Sequence, residues 1–159
     1  MAALTADLHM DSVGNPVKVA LNSGVADTYF KGAMVFALAA GSITPVAAAS
    51  LPFLGIVAEQ VVAAIGDEVD VFIDGYFWMA FVTPAVGNEG EVLCMAADGT
   101  LSDNVADATP VSDITPVLAG DILIGKIIRV NGTTNGLVHL HETVGIATAV
   151  TVLNFGHAG

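Results

Sequence analysis

Residues 54–82, LGIVAEQVVAAIGDEVDVFIDGYFWMAFV, decide the fold. The stretch holds Phe72, Phe77 and Phe81, with Phe53 one residue outside, the only tryptophan, Trp78, and one of the two tyrosines, Tyr76. Val69, Val71 and Ile73 alternate with Glu68, Asp70, Phe72 and Asp74. That period of two predicts a strand with one buried and one wet face. Beyond Asp74-Gly75 the polarity vanishes, and residues 76–82 are apolar at every position. Such a run predicts burial on both faces, by a core on one side and a partner on the other. Asp74-Gly75 between two apolar runs is a hairpin signal. A glycine bulge in one long bent strand accounts for the same residues, so both readings stand at this point.

Outward from this stretch the chain keeps the same character. Of 159 residues, 54% are hydrophobic and only 13% charged, with 17 glycines. The length suits one domain, with or without terminal arms. Four Lys+Arg against sixteen Asp+Glu give a formal charge of −12. Such a chain repels nucleic acid and anionic lipid, so direct nucleic-acid or membrane partners are not expected. The hydrophobic content excludes a disordered acidic chain. The low charged fraction is poor for an ordinary solvated surface, which predicts oligomerisation or attachment to a larger assembly. Cys94, the single cysteine, lies in Val-Leu-Cys-Met-Ala and reads as a small buried hydrophobe. The opening MAALTADLHMDS lacks the basic and apolar regions of a secretory signal, and no run of ~20 apolar residues predicts a membrane span.

Residues 1–16 have little periodicity and read as an N-terminal arm, followed by a domain over 17–141 and a C-terminal strand or arm over 142–159. Short strands are expected at 17–21, 33–38, 53–58, 91–96, 122–130 and 137–141, with a return strand at 43–47 whose Pro45 suits an edge. Residues 27–30 are a short extended piece or turn, and 59–65 are compatible with one helical turn. Residues 103–120, with Pro110 and Pro116, run over the surface. Eight to ten strands at about 8–12-residue spacing, with no amphipathic helix between them, favour an all-β barrel or sandwich.

Catalytic chemistry is thin. His139-x-His141 points two imidazoles to one face of a strand, as two metal ligands require, but a third ligand is not evident and a polar strand face explains them as well. Asp98, Asp103 and Asp107 do not match a calcium loop. Glu68, Asp70 and Asp74 read as a solvated or contact face rather than an acid/base pair. No nucleophile elbow, phosphate loop or dinucleotide fingerprint occurs, and four basic residues make a phosphate-handling enzyme hard to build. The chain is therefore read as non-enzymatic, without cofactor or metal. The aromatics Tyr76, Phe77, Trp78 and Phe81 read as core or subunit interface, with a sugar-stacking platform as the rival.

The order of these features resembles the small capsid decoration, or cement, proteins of tailed bacteriophages. The residues that carry it are Gly32-Ala33-Met34-Val35-Phe36, Leu54-Gly55-Ile56-Val57-Ala58, Gly66-Asp67-Glu68-Val69-Asp70-Val71, Asp74-Gly75-Tyr76-Phe77, and the Gly-x-x-Gly-Glu-Val of residues 87–92. Asp98-Gly99-Thr100-Leu101, Gly120-Asp121, Ile124-Gly125-Lys126-Ile127-Ile128 and Leu137-Val138-His139-Leu140 complete it. The resemblance covers residues 32–141 and is a pattern of glycines and strands, not a catalytic signature. The family's last strand carries a basic residue, where His139 and His141 stand here.

The resemblance implies a small β-barrel or β-tulip-like domain, commonly a trimer, on the outer surface of the mature virion capsid after synthesis in the host cytoplasm. Its partners would be the major capsid protein and further copies of itself. Leu4, Leu8 and Met10 of the arm, with Tyr76, Phe77, Trp78 and Phe81, are the expected contact residues, and deleting residues 1–16 is expected to weaken attachment while leaving the fold intact. The rival reading is a β-rich carbohydrate- or ligand-binding module, or an adhesin.

Overall fold

A computed structural model describes residues 4–38, 41–46, 51–82, 84–85, 87–95, 104–111, 116–117, 122–140 and 151–152. These form an all-β domain in which a curled antiparallel sheet makes a half-barrel. Thirteen strands occur among the described residues, several of two or three residues. Seven of them are four residues or longer.

The hub is β7 (Glu68–Met79), and its partners are laid out around it. Along one edge runs β1 (Met10–Asn22), from Met10 opposite Met79 to Asn22 opposite Glu68. Along the other edge two strands succeed each other. β5 (Phe53–Val57) pairs at Val71 and Phe72, and β12 (Asn135–Leu140) pairs from Gly75 to Met79. From β5 the sheet continues to β3 (Met34–Ala37) and β4 (Ile43–Thr44). From β12 it continues to β11 (Ile122–Asn131), β8 (Val92–Met95) and β9 (Thr109–Val111). Two small ladders stand apart: β2 (Asp27–Tyr29) with β6 (Val61–Ala63), and β10 (Pro116–Val117) with β13 (Thr151–Val152). One 3-10 turn lies at Val105–Asp107.

Asp74-Gly75 is a bulge, not a hairpin. Gly75 has φ +140°, and a Cβ there would lie 2.8 Å from Pro16 Cβ, so only glycine fits. Opposite it, Gly14, Asn15 and Pro16 are left out of the ladder between Val13 and Val17. The irregularity exchanges the two faces of the strand. Before it, Val69, Val71 and Ile73 enter a cluster with Tyr29, Val35 and Val57. After it, Phe77 and Met79 enter a different cluster with Phe36, Ile124 and Ile127. Phe72 packs on that second cluster too, its ring 4.9 Å from Phe77, although five residues separate them. In an unbroken strand residues five apart point to opposite faces.

Two expectations are corrected. Residues 10–16 are not an arm: β1 begins at Met10, and Met10 itself is core. Ahead of it, the Leu8 N–H donates to the Lys31 carbonyl at 2.9 Å, and the Lys31 N–H donates to Asp7 Oδ1 at 2.9 Å. Leu8 and Leu4 pack against the two clusters. Deleting residues 1–16 would therefore strip half a strand from the hub. The segment 59–65 holds strand β6 rather than a helical turn, because the β-branched pair Val61-Val62 lies against β2. The run from Tyr76 buries one face in the domain core and turns the other outward, as the next section details. Of residues 142–159, Thr151 and Val152 pair with β10, and the others lie outside the described residues.

Candidate assembly surface

Residues directly opposite each other on antiparallel strands project to the same face, so the register spells out two rows across the outside of the sheet. One row runs Val13, Tyr76, His139, Lys126 across β1, β7, β12 and β11. The next runs Asp11, Trp78, Leu137, Arg129. Val13 and Tyr76 are 44% and 42% exposed, and Trp78 and Leu137 are half-buried. A bulge in β11 between Ile127 and Arg129 turns Ile128 outward, 41% exposed. The result is a contiguous aromatic and aliphatic surface of a kind that marks contact sites.

Its polar members are held in place. The His139 and Tyr76 rings stack at 4.4 Å with a 9° interplanar angle, and His139 Nε2 lies 3.4 Å from Asp74 Oδ1. Asp74 reaches His139 because the bulge sets it beside the strand end where Gly75 faces Leu140. One face of the Tyr76 ring is thereby occupied.

Of the expected contact residues, Tyr76 and Trp78 stand on this face. Phe77, Phe81 and Met10 do not: they are 0%, 5% and 5% exposed and belong to the core. The reason is the alternation of the strand, which sends Phe77 and Met79 inward when Tyr76 and Trp78 point out. Phe81 lies over Gly136, where a Cβ would sit 2.6 Å from its ring. Leu4 and Leu8 are covered in part by the domain itself. Val13, Ile128 and Arg129 went unnoticed in the sequence, since only the register of β1 and the bulge of β11 bring them beside Trp78.

A second exposed apolar group lies at the tip formed by β6 and the turn after it. Val62 is 75% exposed and Ile65 73%. Close by in the chain are Glu59, Asp67 and Glu68, all exposed. The tip is firmly built. The Ala64 N–H donates to Asp67 Oδ2 at 2.9 Å, and the Ser23 N–H donates to the Asp67 carbonyl at 2.8 Å. Beneath it, the Tyr29 hydroxyl meets Ser23 Oγ at 2.7 Å and donates to the Ile43 carbonyl at 3.0 Å. Burial raises the Tyr29 pKa above its ordinary 10.0, against a lowering by the Ser23 hydrogen bond.

No group of three or more His, Cys, Asp or Glu side chains able to hold a metal occurs among the described residues. His139 is spent on Tyr76 and Asp74, and His141 lies outside the described residues. Of the aspartates weighed for calcium, Asp98 and Asp103 also lie outside. Cys94 is buried, as expected of a small hydrophobe. An apolar cavity of about 90 Å³ lies between Leu8, Met10, Gly32 and Met79, large enough for only a few water molecules. No protein-family model matches the chain, and the search of curated proteins finds no match.

Proposed function

We propose that the chain is a non-enzymatic decoration protein that binds the outer surface of a mature phage capsid as an oligomer, a trimer on the resemblance, and stabilises the shell by bridging capsid subunits. The observation that carries this reading is the outward face of β7, where Tyr76 and Trp78 stand exposed and half-buried beside Val13 and Ile128. An aromatic face on a rigid sheet is suited to protein contact, because Tyr and Trp bury large areas at little entropic cost. The glycine and strand order of residues 32–141 supplies the identity of the partner. A clip that binds only the expanded shell adds its binding free energy to that state alone, and the population shifts accordingly. The acidic surface is compatible with an outward position, since it never meets the packaged DNA.

Co-sedimentation of the purified protein with mature, undecorated heads tests the proposal. Saturable binding at a copy number set by the three-fold positions of the shell is expected. Absence of binding to any head form would overturn it, and the carbohydrate- or ligand-binding reading would then be tested with a glycan array.

A further inference from the structure

The chain contains two Asn-Gly pairs, Asn131-Gly132 and Asn135-Gly136, and they bracket the turn that joins β11 to β12. An asparagine followed by glycine is open to attack on its side-chain amide by the next backbone nitrogen, because glycine has no Cβ to shield that nitrogen and rotates freely. The two pairs are held very differently. Asn131, Gly132, Thr133 and Thr134 are all exposed, Gly132 has φ +60°, and nothing lies within 4 Å of where its Cβ would be. Gly136 is buried and pairs with Val130 on one side and Met79 on the other. A Cβ there would meet the Phe81 ring at 2.6 Å and the Arg129 carbonyl at 3.0 Å. The Asn135 side-chain oxygen is buried as well. We propose that Asn131 is a site of spontaneous deamidation, that Thr134 assists the reaction, and that the same chemistry is blocked at Asn135.

In the reaction the Gly132 amide gives up its proton, and its nitrogen attacks Asn131 Cγ. An N–Cγ bond forms and the Cγ–Nδ2 bond breaks. The amide proton leaves with the Nδ2 group as ammonia, and a cyclic imide remains. Water then opens the imide at either carbonyl, which gives aspartate or isoaspartate. The first demand is for an anion on the peptide unit between Asn131 and Gly132, with its charge largely on the Asn131 carbonyl oxygen. Two donors already point at that oxygen: the Thr134 N–H at 3.3 Å and the Thr134 hydroxyl at 3.1 Å. A hydrogen bond to the charged form favours it, and donors set beforehand need no reorganisation as the charge develops. The second demand is for rotation about the Asn131 backbone, which brings nitrogen and Cγ together. In the turn that rotation disturbs only the end of one ladder, where Asn131 faces Asn135. At Asn135 it would pull Gly136 from two strands at once, an opening of the firmly paired part of the sheet. Conversion places a carboxylate in the turn, two residues from Arg129. None of this depends on what the chain binds.

The test is incubation of the full chain at physiological temperature and mildly alkaline pH. Digestion under acidic conditions then halts the reaction, and mass spectrometry with fragmentation separates Asn131 from Asn135. In the native chain Asn131 is expected to convert at least about tenfold faster than Asn135, where conversion waits on local opening of the sheet. In urea the two rates are expected to converge. Thr134→Val is expected to slow conversion at Asn131 about two- to fivefold in the native chain, the share of one hydroxyl hydrogen bond, and to change nothing in urea. Thr134→Ser, which keeps the hydroxyl, is expected to restore the native rate. The comparison of Asn131 with Asn135 needs no variant, so it stands even where Thr134→Val disturbs the turn. Equal native rates at the two asparagines, or an Asn131 that stays intact in the native chain, would overturn the site. An unchanged native rate in Thr134→Val would overturn the part given to Thr134.

Discussion

Residues 68–73 and 76–79 share one strand and bury opposite faces. In the first half Val69 and Val71 close one cluster, and the carboxylates between them look out. In the second half Phe77 and Met79 close the other cluster, and the residues that alternate with them, Tyr76 and Trp78, look out although they are aromatic. The backbone device is the same in both, an alternation of two. What differs is the class of side chain given to the outward face. The comparison teaches that apolarity on both faces of a strand does not mean burial of both: the domain covers one face, and the other stands outward.

The comparison can be broken most forcefully at adjacent positions. Phe77→Ala empties a fully buried site and is expected to cost about 3–5 kcal/mol, read as the drop in unfolding free energy in urea. Trp78→Ala, one residue on, is expected to cost about 1 kcal/mol or less in the dissociated chain. Equal costs would mean that Trp78 is as deeply buried as Phe77. Gly75→Ala places a side chain at φ +140° against Pro16 and is expected to cost about 2–3 kcal/mol. A neutral result would remove the bulge as the cause.

Smaller effects sharpen the account of the first cluster. Tyr29→Phe removes a hydroxyl bonded to Ser23 and to the Ile43 carbonyl, with an expected loss of about 1–2 kcal/mol at neutral pH. Its pH dependence has a definite sign. The folded-state pKa lies above the unfolded value near 10.0, so the stabilisation is full below pH 10 and is lost as pH rises through the folded-state value. The variant is expected to lack that alkaline loss in urea titrations. Smallest is Ile65→Ser, at an exposed tip residue, expected to change the stability of the dissociated chain by about 0.5 kcal/mol or less.

The strands legible in the sequence were those where alternation meets a turn residue, as at Val69 to Asp74 or Ile122 to Val130. The all-β class followed from them. Less legible was anything set by pairing across distance. Met10 to Pro16 show no period because β1 hangs on the edge of β7 with most of its side chains exposed, so its strand state comes from the partner's backbone and not from its own pattern. Of the contact candidates, Tyr76 and Trp78 were readable as aromatics but not separable from Phe77 and Phe81. Their separation depends on the phase of the strand after Gly75, which the two register shifts between β1 and β7 decide. The acidic tip stayed hidden for a similar reason: Val61-Val62 forms a strand only because β2 lies alongside.

The single tryptophan offers the most direct test of the outward face that follows Gly75. Iodide quenching of Trp78 fluorescence is measured at high dilution, where the chain is dissociated, and again in urea. The account predicts clear quenching of the native chain, weaker than that of the unfolded chain, as fits a half-buried ring on an outward face. A native Trp78 shielded as fully as a core side chain would contradict it, and with it the surface on which the proposed assembly rests.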